Sequence, residues 1–262
     1  MSIDKPYHRI VRGLAEHQNA GYSGRAYVVD PKYAERPEHY VRAFLLIQKD
    51  LLELFEYIEP ADGNLATYSF RIHELLMRTC IEIEANFKAI LQENEYNPKD
   101  KKGQAISEKN WNIRNYQIVD KSHHLSSYKI YIPTWEGEKS TMAPFLSWKS
   151  SGPLTWYQAY NQSKHSRHAE FRKANLENLL NAVAALVVLL SSQFRNQDFT
   201  PRSDVLTTNP ERPREGEPAI GEFFYVEYPS DWAEIELYSF DWSKLKTQDE
   251  RFQKFDFDQF DG

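Results

Sequence analysis

Apolar residues recur at helical spacing along four stretches of this chain. Over residues 37–58, Val41, Phe44, Leu45, Leu51, Leu52 and Phe55 fall near one face, and the Pro-Ala-Asp-Gly of residues 60–63 stops the pattern. Over 68–93, Ile72, Leu75, Leu76, Thr79, Cys80, Ile83, Phe87, Ile90 and Leu91 make a wide stripe with the clearest period in the sequence, and Thr67 or Ser69 can cap it. A third helix is predicted over 154–168, opened by Pro153 at a first-turn position. The fourth, 170–194, carries Leu176, Leu179, Leu180, Val183, Leu186, Val187 and Leu190 around most of its circumference, so it belongs in the middle of a bundle.

Strand-like alternation is shorter. It covers 112–119 and 126–132, with 120–125 between them as a hairpin turn, and a further strand is predicted over 220–228. His123 and His124 sit in that turn and are expected to be exposed and inert. Residues 1–35 lack a clear period and are expected to wrap a surface, 94–110 to form a mobile loop, and 135–151 a loop with aromatic anchors. Residues 196–218 form a Pro-rich connector, and the tail after 228 alternates acids with aromatics, a pattern for packing onto the bundle or a partner. The expected fold class is therefore mainly α: a helical bundle over about 36–196 with a small peripheral antiparallel β element, placed as an insertion over about 111–133 and a strand with aromatic tail over 219–262, all within a single domain, 1–262.

With 262 residues, 41% hydrophobic and 27% charged, the chain has ample material for a core. A net charge of −6 argues against coating nucleic acid by bulk electrostatics but leaves room for a local basic site. The single cysteine, Cys80, lies within an apolar stripe, which excludes an intrachain disulfide and a cysteine metal cluster. The first residues are polar, and the longest apolar run, 182–190, falls short of the ~20 residues of a membrane span, so a cytoplasmic chain with no membrane association is expected.

Chemistry concentrates in residues 156–173, WYQAYNQSKHSRHAEFRK. Read as one uninterrupted helix, the segment places Asn161, His165, His168 and Arg172 on a narrow stripe, flanked by Lys164, with Tyr157 a turn above it. A solvated cationic face is the plain alternative. Glu82 and Glu84 lie on opposite edges of the apolar stripe over 68–93, and either they are surface ion-pairing groups or one points across the bundle at the histidines. Gly-rich phosphate loops, a nucleophile elbow and paired-cysteine zinc motifs are absent from the sequence. No histidine follows a glutamate by three positions, as a di-iron bundle requires; His165 and His168 with Glu82 or Glu84 could still hold one metal. What remains is cofactor-free, metal-independent phosphodiester chemistry on RNA. The 2′-hydroxyl is the nucleophile such a site uses, with His165 and His168 the candidate acid and base, Asn161 the candidate to orient His165 or the phosphate, and Lys164, Arg167, Arg172 and Lys173 the candidates to hold phosphate.

Helices with such a terminal polar-His motif resemble the HEPN superfamily, whose active members carry Arg-Asn-x-x-x-His. The matching segment is Tyr160-Asn161-Gln162-Ser163-Lys164-His165, within a resemblance that spans at most residues 66–196. Asn161 and His165 keep the family spacing, and Tyr160 stands where the arginine is expected. The resemblance implies a helical bundle and a metal-independent ribonuclease of a prokaryotic defence or toxin-type system. It also implies a homodimer that forms the site, RNA as ligand and a possible partner subunit or antitoxin. The alternative it implies is a HEPN-like subunit without activity that dimerises or binds nucleic acid.

Overall fold

A computed structural model describes residues 3–14, 22–199 and 216–260. Four helices make the body: α1 (Pro37–Phe55), α2 (Phe70–Gln92), α3 (Thr155–His165) and α4 (Leu176–Phe194). Each starts where the sequence provides for it. Pro37 occupies the first turn of α1, the Ser69 hydroxyl accepts from the Ile72 amide at the start of α2, and the Asn175 side chain accepts from the Asn178 amide at the start of α4. α4 is the central element, buried from Leu179 to Phe194 on nearly every side and packed against α1, α2 and α3. By length and composition it could cross a membrane, but 83% of its apolar window is buried inside the fold, where it serves as the core helix.

Four short strands form one antiparallel sheet at the side of the bundle, in the order β2 (Thr141–Met142), β1 (Lys129–Tyr131), β4 (Tyr225–Glu227), β3 (Glu217–Pro218). Ile130 faces Val226 on one side and Met142 on the other. The fold is thus mainly α with a small peripheral β element, as the periodicity predicts.

Three expectations are corrected. Residues 112–119 are helical rather than extended: Ile113–Tyr116 is an α-turn opened by an Asn112/Asn115 capping box, and Gln117–Val119 and Asp120–His123 continue it. The spacing Ile113, Tyr116, Val119 was a helical period, and it puts Tyr116 and Val119 in the core, with Tyr116 stacked on Phe87 at 5.0 Å. Consequently His123 is not exposed but fully buried, and His124 is mostly covered, stacked on Trp232 at 3.9 Å. The described part of residues 1–35 does not wrap a surface either. Ile10, Val11, Tyr27 and Tyr33 are core residues, and Arg9 between them is fully buried. Its guanidinium donates to Glu93 (2.6 Å), Gln193 (2.9 Å) and the Glu35 carbonyl (2.6 Å). The tail packs by its aromatic side chains inside the same chain, where the Tyr238 hydroxyl donates to the Ile10 carbonyl at 2.8 Å and Tyr238 meets Tyr27 edge-on.

Candidate functional site

The chemistry-bearing segment does not run as one helix. α3 ends at His165, Ser166 adopts φ −132°, ψ 50°, a single turn spans Arg167–Glu170, and a tight turn Phe171–Lys173 leads to α4. The break has a local cause. α3 buries Trp156, Tyr157, Ala159, Tyr160 and Ser163, and the next large apolar side chain after Tyr160 is Phe171, so no apolar side chain holds residues 164–170 against the bundle. The single stripe expected for Asn161, His165, His168 and Arg172 is therefore split after His165.

His165, Arg167 and His168 are exposed and make no hydrogen bond or ion pair with another described residue. Asn161 is half-buried on α3. Arg172 lies 5.8 Å over the ring of Tyr68, and Lys173 pairs with Glu170 at 2.7 Å. Lys164 occupies the last turn of α3, where a cation complements the negative end of the helix dipole, and His165 is the last residue of that turn.

Of the two acids, Glu84 is the one that points across to α3, but it meets tyrosine rather than histidine. The Tyr157 hydroxyl donates to Glu84 Oε1 at 2.8 Å. Tyr157 lies eight positions before His165, roughly 12 Å along the helix axis. Glu84 therefore does not orient that imidazole. For Glu82, burial raises the carboxyl above the ordinary range despite the pull of Arg78.

Lys164 folds back along α3 and donates from Nζ to the Tyr160 hydroxyl at 3.1 Å, a bond that raises the lysine above its usual range. Tyr160 itself is buried, and burial pushes its phenol upward, with Lys164 opposing. Burial, reinforced by the Glu84 charge and its hydrogen bond, keeps Tyr157 a neutral donor. Cys80, fully buried behind this row, is held as a thiol by the same two causes, burial and Glu84. The result is a polar seam between α2 and α3 of Glu84, Tyr157, Tyr160 and Lys164. Tyr157, Tyr160 and Lys164 stand at i, i+3 and i+7, a face readable in the sequence once the helix is placed.

Among the described residues no group of three or more His, Cys, Asp or Glu side chains converges as metal ligands, so His165, His168, Glu82 and Glu84 do not assemble a shell. No family model, curated protein or solved structure matches this chain. The resemblance to the HEPN superfamily therefore rests on the Asn161-to-His165 spacing within a helical bundle.

Proposed function

We propose that the chain is a metal-independent ribonuclease of HEPN-like type, acting in a prokaryotic defence or toxin-type system in the cytoplasm. The observation that carries this reading is the set of exposed groups His165, Arg167 and His168, at and just after the end of α3, that pair with no other described residue, on a protein whose net charge is −6. Cations and imidazoles with no partner among the described residues are free to meet a phosphodiester. His165 takes the proton of the 2′-hydroxyl, whose oxygen attacks phosphorus. The 5′-oxygen leaves with a proton from an acid, for which His168 is the candidate. Arg167 and Arg172 offset the charge that builds on the phosphate oxygens, and Asn161 contributes an amide donor beside His165. Within one copy no described residue fixes the imidazole of His165, so the site is completed by a second copy that brings two 161–172 segments together and doubles the local field.

A second reading is favoured by one specific observation. Tyr160, at the position of the expected arginine, is buried and accepts a hydrogen bond from Lys164, so neither side chain is presented freely to substrate. On that reading the chain binds RNA or a partner subunit without cleaving. Incubating the purified protein with labelled RNA in EDTA separates the two. Cleavage leaving 2′,3′-cyclic phosphate and 5′-hydroxyl ends supports the first, intact RNA the second, and cleavage abolished by EDTA contradicts metal independence.

A further inference from the structure

We infer that the start of α2 and the α3–α4 connector form a stacking platform for the unpaired bases of single-stranded RNA. This rests on the RNA reading of the connector and extends it to a second contact surface. Phe70 leaves 69% of its surface exposed, and its ring lies 4.8 Å from that of Phe171 at a tilt of 44°. Tyr68, 40% exposed, meets Phe171 edge-on at 5.7 Å. His73 packs against the same Phe171 ring at 5.7 Å. The guanidinium of Arg172 caps Tyr68 from the connector side.

Anchoring the connector explains only part of this cluster. Phe171 is held by Phe70 and Tyr68, yet Phe70 keeps most of its surface in water, and α2 is already capped by Ser69. The platform is also fixed in place. The Leu176 amide donates to the Thr67 carbonyl at 2.8 Å and the Glu177 amide to the Leu65 carbonyl at 3.0 Å, so residues 65–68 are bound to the start of α4. Rings on a rigid backbone accept bases at low ordering cost.

The charges beside the rings select the occupant. Arg71 and Lys173 are neutralised by Glu74 and Glu170, while Arg167 and Arg172 have no acidic partner among the described residues. Exposed rings next to unneutralised guanidiniums suit a polyanion whose flat groups alternate with phosphates, which is the composition of single-stranded RNA. The path runs from His165 across Arg167 and Arg172 to Tyr68 and Phe70.

The test is fluorescence anisotropy with a labelled 2′-O-methyl oligouridylate of about 12 nucleotides, which cannot supply the attacking hydroxyl. Phe70→Ala should weaken binding by roughly tenfold or more while lowering the melting temperature only slightly, because the side chain keeps 69% of its surface exposed and gives up one ring contact with Phe171. Phe70→Trp should keep the affinity, and Phe70→Leu, apolar but without a π face, should lose it as Ala does. If Arg172→Ala weakens binding and Phe70→Ala does not, the platform is overturned and the RNA reading of the connector stands. If the wild-type protein does not bind the oligonucleotide, both fall. Affinity retained in Phe70→Leu overturns stacking. RNA binding unchanged in Phe70→Ala together with an altered oligomeric state overturns RNA as the occupant in favour of a protein.

Discussion

Acid should unfold this protein partly through one buried histidine, His123. Its Nε2 donates to the Arg9 carbonyl at 3.0 Å, so in the neutral imidazole Nδ1 carries no proton and lies 2.7 Å from the Ser122 hydroxyl, which also donates to the Val119 carbonyl at 3.0 Å. Burial pushes its pKa down to about 3, and Arg12 adds to the fall against the raising effect of the Arg9 carbonyl. An unfolded histidine titrates near 6.5, so as pH falls below that value the unfolded chain gains a proton that the folded chain refuses. Stability from this group is fully present above pH 6.5 and is lost as pH falls toward 3. At pH 5 the loss is about 2 kcal/mol, and over the whole gap it approaches roughly 5 kcal/mol at 1.36 kcal/mol per unit. For a chain of this size 2 kcal/mol lowers the melting temperature by about 4–8 °C. His123→Gln removes the titration, so its melting temperature should fall less between pH 7 and pH 5 than that of the wild type, by that margin. At pH 7 the variant should be less stable by about 1–3 kcal/mol, through loss of buried hydrogen bonding. His8, also pushed down by burial, is present in both proteins and cancels. Identical pH slopes in scanning calorimetry would refute the assignment of a neutral, buried His123.

Arg9→Met should destabilise by about 3–5 kcal/mol in urea unfolding, because Glu93 and Gln193 lose their partner in the interior. Alkali should also unfold the protein: Tyr27, Tyr33, Tyr128 and Tyr238 are buried with phenols pushed up by burial, so above pH 10 the unfolded state releases protons that the folded state keeps. Stability should fall by roughly 1.4 kcal/mol per pH unit for each of them, with tyrosinate absorbance rising only as the fold melts. Light scattering should find a dimer at micromolar concentration that Arg167→Glu weakens, and a monomer, or a dimer unaffected by that change, would contradict a shared site.

The long helices were legible because their apolar stripes persist over many turns and because Pro37 and Ser69 mark two of their starts, whereas the Asn175 cap, which starts α4 at Leu176 rather than at the expected 170, was not read. The short elements were not. Ile113, Tyr116 and Val119 fit both a helical period and a loose alternation over eight residues, and the Asn112/Asn115 capping box was the signal that separates the two. The burial of Arg9, within a segment that has no clear period, was not legible because its partners Glu93 and Gln193 lie 84 and 184 positions away, a separation no local pattern reveals. At the candidate site, the residue types concentrated in 156–173 were readable, but the break at Ser166 was not, since no Pro or Gly marks it. It follows from the lack of anything apolar to bury between Tyr160 and Phe171. One of Glu82 and Glu84 was expected to point across the bundle at the histidines; Glu84 does cross to α3, but it meets Tyr157, a partner that follows only from helix phase.

The role of His165 is tested most directly by measuring RNA cleavage rate and melting temperature on the same samples of wild type and His165→Ala. His165 is exposed at the end of α3, so the substitution should leave the melting temperature unchanged. If its imidazole is the acid/base, the cleavage rate should fall by about 10²–10⁴-fold. A lowered melting temperature with an unchanged rate per folded molecule would contradict the proposal and leave His165 a structural residue.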